Sequence, residues 1–89
     1  MSHTMNFIIV NEDGLRLKSA SELMQVAGAF QSFIVASGNR ASANAKSTPA
    51  LLMLGALKGT RLTIKADGVD AVAAMRAIKQ MTCLSEIAI

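Results

Sequence analysis

The sequence has no tryptophan and no tyrosine, and its only aromatics are Phe7, Phe30 and Phe33. Single-stranded nucleic acids are held largely by stacking on aromatic faces. The net charge of +3 is also mild beside the clustered basic stripe of a nucleic-acid binder, so no nucleic-acid partner is expected. Cysteine is limited to Cys83. A lone thiol forms no internal disulfide, which suits a reducing, cytoplasmic setting, and Cys83 reads as a small apolar helix residue. Histidine is limited to His3. There is no His/Asp/Ser constellation, no metal-ligand cluster and no Gly-rich phosphate loop, and the six carboxylates are scattered. No enzyme activity, metal or cofactor is expected. No apolar run is long enough to span a bilayer. The opening MSHTMNF lacks the basic region and cleavage site of a secretory leader, so no membrane association is expected.

What is present is a short, well-patterned chain. Its 89 residues imply one domain. Hydrophobic residues make up 52% and charged residues 17%, the balance of a compact globular chain. Residues 1–4 are expected to be a tail, disordered or left over from expression, and residues 5–89 the domain.

Met5 to Val10 is rich in β-branched residues and reads as a strand with Phe7 and Ile9 on one face. Asn11 to Gly14 reads as a turn. Ser19 and Glu22 have capping-box spacing, and Ala20, Leu23, Met24 and Ala27 recur on one helical face. A helix is therefore expected over Ser19 to Ala29. Gln31 to Ser37 reads as a second strand. Gly38 and Asn39 suit a tight hairpin, and Arg40 to Asn44 reads as a small, polar edge strand. Ser47 is a candidate N-cap of a short helix that tolerates Pro49 in its first turn. Ala50, Leu51, Leu54 and Leu57 would form its buried stripe, and Gly59 its C-terminal stop. Thr60 to Ala66 alternates with Leu62, Ile64 and Ala66 inward. Asp70 is a candidate cap for a last helix whose apolar face is Ala71, Ala74, Met75, Ile78 and Met81. The ending LSEIAI is apolar and ambiguous: it extends the helix, packs on the core or meets another chain. The order β-α-β-β-α-β-α predicts an α+β domain with helices on one side of an antiparallel sheet.

Arg16 and Lys18 are unusual, because a helix start carries partial positive charge and favours acids. The stretch Gly14-Leu15-Arg16-Leu17-Lys18-Ser19-Ala20 resembles the motif G-L-H-[AT]-R-P-A of the HPr family, the histidine-containing phosphocarrier proteins of the bacterial sugar phosphotransferase system. ASANAKS, ending at Ser47, is similar to that family's regulatory-serine segment. Leu54 to Gly68 is similar to its short helix, glycine-containing turn and fourth strand. The likeness runs from about Met5 to Met81 without gaps. It implies an open-faced β-sandwich, three helices over a four-stranded antiparallel sheet in the order 1-4-2-3.

The resemblance places Arg16 where the family has its phosphate-accepting histidine. A guanidinium is always protonated and offers no lone pair, so the carrier chemistry is not available to it. Lys18 stands for the family's arginine and Ser19 for its proline. The expected site is a helix start with free amides, two cations and the Ser19 hydroxyl. Its phosphate, anion or partner-binding residues are Arg16, Leu17, Lys18 and Ser19. The plainer alternative is a pair of solvated cations with Glu12, Asp13 or Glu22 as loose partners. In some family members the serine matching Ser47 is phosphorylated by a kinase; as a bare N-cap it needs no such role. Leu17, Met24, Leu51 or Leu52, and Met53, rimmed by Arg16, Lys18 and Lys46, form the expected partner surface, with Met24, Lys46 and Leu52 added to the site. The implied function is a regulatory or interaction module, similar to the catabolite-repression HPr paralogues, with a protein partner from the phosphotransferase or catabolite-regulation system. The alternative is a working phosphocarrier. A monomer or weak homodimer is expected.

Overall fold

The computed structural model describes residues 1–87. The elements run β1 (Ser2–Ile9), α1 (Leu17–Gly28), β2 (Phe33–Gly38), β3 (Ala41–Asn44), α2 (Thr48–Leu52), β4 (Arg61–Asp67), α3 (Ala71–Lys79) and β5 (Leu84–Ile87). The sheet is antiparallel with order β3-β2-β4-β1-β5. This is the α+β open-faced arrangement of the resemblance, with a fifth strand added beside β1.

That strand resolves the ambiguous ending. Leu84 pairs with Ile9, and Ile87 with Asn6. Leu84 is buried, and Lys79 ties Glu86 at 3.1 Å. Residues 88 and 89 of the same ending lie outside the described residues. The expected tail is also corrected. Ser2, His3 and Thr4 belong to β1 and pair with Asp67, Ala66 and Lys65. Their pairing partners lie some sixty residues away, beyond the reach of local pattern.

The core lies between the sheet and the helices. Phe7 and Ile9 from β1, Ile34 and Ala36 from β2, and Leu62, Ile64 and Ala66 from β4 are buried. They meet Ala20, Leu23 and Ala27 of α1, Leu51 of α2, and Ala71, Ala74, Met75 and Ile78 of α3. A fully buried Leu or Ile contributes about 1.5–3 kcal/mol relative to an exposed one, so these stripes set the register of each element.

Several local expectations shift. Asn39 and Arg40, at φ 51° and 64°, make the hairpin turn, and Gly38 ends β2. Turns of this hand match the twist of the flanking strands. α2 stops at Leu52, so Leu57 leaves the buried stripe and is 64% exposed. α3 stops at Lys79, which puts Met81 beyond it and Cys83 in the turn that leads to β5 rather than on a helix. Asp70 occupies the N-cap position of α3 but does not cap it. Its carboxylate accepts from the amides of Gln31 at 2.8 Å and Ser32 at 2.9 Å, and from the Ser32 hydroxyl. It therefore clasps the loop before β2 to α3.

Candidate functional site

The loop from β1 to α1 is shaped by Gly14, whose φ is +70°. A Cβ there would lie 2.6 Å from the Ala56 carbonyl oxygen and 2.8 Å from the Leu57 Cα, so only glycine lets the two loops meet. Leu15 then donates its amide to the Ala56 carbonyl at 2.8 Å, and its side chain is buried. The Gly14 carbonyl gathers the Asn11 Nδ2 at 2.7 Å, the Arg16 amide at 3.1 Å and the Ser19 hydroxyl at 2.9 Å.

This places the start of α1. The helix begins at Leu17, two residues before the expected start, with Arg16 as N-cap in extended backbone. The first intrahelical bond runs from the Ala20 amide to the Arg16 carbonyl at 2.8 Å. The amides of Leu17, Lys18 and Ser19 precede it, and an arginine side chain has no acceptor to give them. The expected capping box of Ser19 with Glu22 is replaced. Ser19 is the third helical residue, and its Oγ reaches back to accept the Arg16 amide at 3.1 Å. Ser19 is 5% exposed. Its hydroxyl donates inward to the Gly14 carbonyl, while the residue also borders the cavity beside Arg16 and Lys18.

Arg16, Leu17 and Lys18 do sit together at the helix start and are exposed. A cavity of about 290 Å³ beside them is lined by Asn11, Asp13, Arg16, Lys18, Ser19, Glu22, Thr82 and Cys83. Asp13 and Glu22 place two acids near the two cations. Glu12, one of the expected partners, is taken by Lys58 at 2.7 Å. Among the described residues, neither Arg16 nor Lys18 is in an ion pair. Burial, with the Glu22 charge nearby, pushes the Cys83 thiol up, which keeps it protonated and unreactive at neutral pH.

The second expected position, Ser47, is the N-cap of α2, and its Oγ accepts from the Ala50 amide at 3.3 Å. Lys46 beside it donates its Nζ to the Phe30 carbonyl at 2.7 Å. It is tied to the loop after α1 rather than standing as a free rim cation. Of the apolar residues, Leu17 is 67% exposed, Leu52 37% and Met53 86%, while Leu51 is buried. Met24 packs half-buried against the core. Leu57, beside Gly14, adds an exposed apolar residue that periodicity had assigned to the core. The described residues hold no cluster able to ligate a metal, and no helix among them is long and apolar enough to cross a membrane.

Comparison with known proteins bears directly on this helix start. The family described as "PTS HPr component phosphorylation site" matches residues 3–82. The phosphocarrier protein HPr of Mycoplasma capricolum is 40% identical over 73 residues, covering 82% of each chain. That of Neisseria meningitidis serogroup A is 36% identical over 73 residues, again 82% of each. Among solved structures, a Mycoplasma histidine-containing phosphocarrier protein superposes with a TM-score of 0.84 at 37% identity, covering 88% of this chain and 89% of that one. HPr from Bacillus anthracis gives 0.81 at 26%, covering 86% and 92%. The match spans the loop, the helix start and the sheet together, and the chain belongs to the HPr family of the phosphotransferase system.

Proposed function

We propose that this chain is an HPr-family protein that does not carry phosphoryl groups and serves as a regulatory or interaction module, acting in the cytoplasm. The observation that carries this reading is the N-cap of α1. The residue there is Arg16, a permanent cation without a lone pair, where the family motif has its histidine. The chain's single histidine, His3, is in β1 at the end of the sheet remote from Arg16.

In this reading Arg16 and Lys18, over the free amides of α1, hold an anionic group of a protein partner. Arginine suits carboxylate or phosphate, which it grips with two parallel hydrogen bonds. Leu17, Leu52 and Met53, with half-buried Met24, supply the apolar contact. The partner belongs to the phosphotransferase or catabolite-regulation system. Ser47 is the candidate switch. A phosphate on an N-cap suits the free amides and the dipole behind it, and its addition would rebuild the edge of the same face. Thr48 and Pro49, which follow Ser47, differ from the apolar residues that regulated members present there.

The second reading is a working phosphocarrier, the function in the names of the relatives. Intact mass separates the two after parallel incubation with phosphoenolpyruvate plus the system's first enzyme, and with ATP plus a serine kinase of the family. The regulatory reading expects no phosphoryl group from phosphoenolpyruvate and one from ATP that Ser47→Ala abolishes. Addition from neither donor leaves a binding module without the Ser47 switch. An acid-labile group from phosphoenolpyruvate would establish the carrier.

A further inference from the structure

The outer edge of the sheet lies apart from this face. The two-residue turn at Asn39 and Arg40 makes Gly38 and Ala41 a hydrogen-bonded pair. Bonded and unbonded pairs alternate in an antiparallel ladder. Ala36 and Ala43 are therefore bonded, and the Ala45 amide on the Ile34 carbonyl at 2.8 Å continues the phase. Ser42 and Asn44 fall between these pairs and turn their main-chain groups away from β2. The Asn44 carbonyl accepts the Ser47 amide at 3.0 Å. The Ser42 amide and carbonyl and the Asn44 amide are without a partner among the described residues. Proteins usually blunt such an edge with lysine, proline or a bulge. β3 is short, but its Ala-Ser-Ala-Asn run contains neither lysine nor proline.

On the face away from the helices, a shallow trough of about 310 Å³ runs beside this edge, lined by Phe33, Ile34, Val35, Ser42, Ala43 and Asn44. It exists because Ser42 and Asn44 are small while Phe33, 81% exposed, and Val35 stand up on β2. Lys65 is the cross-strand partner of Val35 on β4. The charge is mainly positive: Asp67, the cross-strand partner of Phe33 on β4, is an acid beside the trough and lies 3.8 Å from the N-terminal amine, while the chain around it is cationic. From Leu23 to Ala66 the chain has five cations, Arg40, Lys46, Lys58, Arg61 and Lys65, and no acid. Lys58 is paired with Glu12; Lys65 stands across from Val35, and Arg40 is in the turn that leads into β3.

We propose that the free edge of β3 takes an extended acidic segment of a partner protein as an added strand. The segment pairs with the main chain of Ser42 and Asn44, as in strand addition elsewhere. One large apolar side chain fills the trough against Phe33 and Val35, and its acids meet Arg40 and Lys65. A second copy of this chain is a poor occupant. Two-fold pairing of β3 with itself that joins Ser42 to the second copy's Asn44 sets Arg40 opposite its Lys46, and like charges across a ladder destabilise it. Nucleic acid is a poor occupant as well, because a paired amide and carbonyl complement a peptide strand rather than a phosphate.

The test is a titration of the labelled full chain with the blocked heptapeptide Glu-Asp-Val-Phe-Val-Asp-Glu, read from amide NMR shifts. The proposal expects saturable shifts centred on Ser42 and Asn44. It expects at least tenfold weaker binding for Ser42→Pro, which removes an amide that β2 does not use. It expects a similar loss for Lys65→Glu, which leaves every main-chain group in place and serves if Ser42→Pro fails to fold. Any of four outcomes overturns it: no saturable shift at millimolar peptide, shifts centred on Arg16 or unchanged in both variants, equal binding of a heptapeptide with lysine for each acid, or tighter binding of oligothymidylate on the same face.

Discussion

The starts of α1 and α2 are built in opposite ways. At α2, Ser47 turns an oxygen onto the Ala50 amide and closes the helix from its own side chain. At α1, Arg16 has no oxygen to offer, and the amides of Leu17, Lys18 and Ser19 face outward beneath two cations. The cap of α2 contributes to stability, while the start of α1 forgoes it. In the proposed reading, the helix start left without its local acceptor is open to an acceptor from a partner. The uncapped start is also the more heavily braced. Gly14, Asn11 and the inward Ser19 hold its loop from below, so the lack of a cap does not loosen it.

The contrast can be broken or sharpened by substitution. The largest effect is expected from Gly14→Val. It forces a side chain into the Ala56 carbonyl at a left-handed φ, and the loss is on the order of 3 kcal/mol, read as a lower urea midpoint. Arg16→Asp goes the other way. It gives α1 the acceptor and the negative charge it lacks, and should stabilise the fold by about 1–2 kcal/mol, with part of the gain lost in high salt. Ser47→Ala strips α2 of its cap and should cost about 1 kcal/mol. The opposite signs at the two starts are the test, and a stabilising Ser47→Ala would contradict the reading.

The smallest effect concerns the third helix start. The Ser32 hydroxyl, and then the Gln31 amide, hold the Asp70 carboxyl below the usual carboxylate range. A lowered folded value means that its stabilisation is present above the ordinary value of about 3.9. It is lost as pH falls through the lowered folded value. Asp70→Asn should therefore flatten the acid limb of the melting curve below about pH 4, with little change in the slope at neutral pH.

Much of the fold was legible because its signals are local. The alternation of Leu62, Ile64 and Ala66 and the helical spacing of Ala20, Leu23 and Ala27 place their elements without help. What was missed depends on distant partners. Ser2 to Thr4 and the strand Leu84 to Ile87 carry weak patterns; the first are ordered by pairing with β4 and the second by pairing with β1. The Ser-x-x-Glu spacing at Ser19 fits a cap, yet Gly14 draws its hydroxyl inward and the helix starts earlier. Leu57 carries the right period for α2, but the left-handed Gly55 (φ 59°) lies between it and the helix. At the site, Arg16, Leu17 and Lys18 could be named from sequence. The commitment of Lys46 to the Phe30 carbonyl could not, since nothing local links the two residues.

The most direct test compares the natural chain with Arg16→His. Each is incubated with phosphoenolpyruvate and the system's first enzyme and followed by phosphorus NMR. If the missing lone pair at the N-cap is what separates this chain from a carrier, the natural protein stays unlabelled. The histidine variant, whose helix start already has its free amides and Lys18, gains an acid-labile phosphoryl signal. A phosphohistidine or other acid-labile signal on the natural chain would contradict the account.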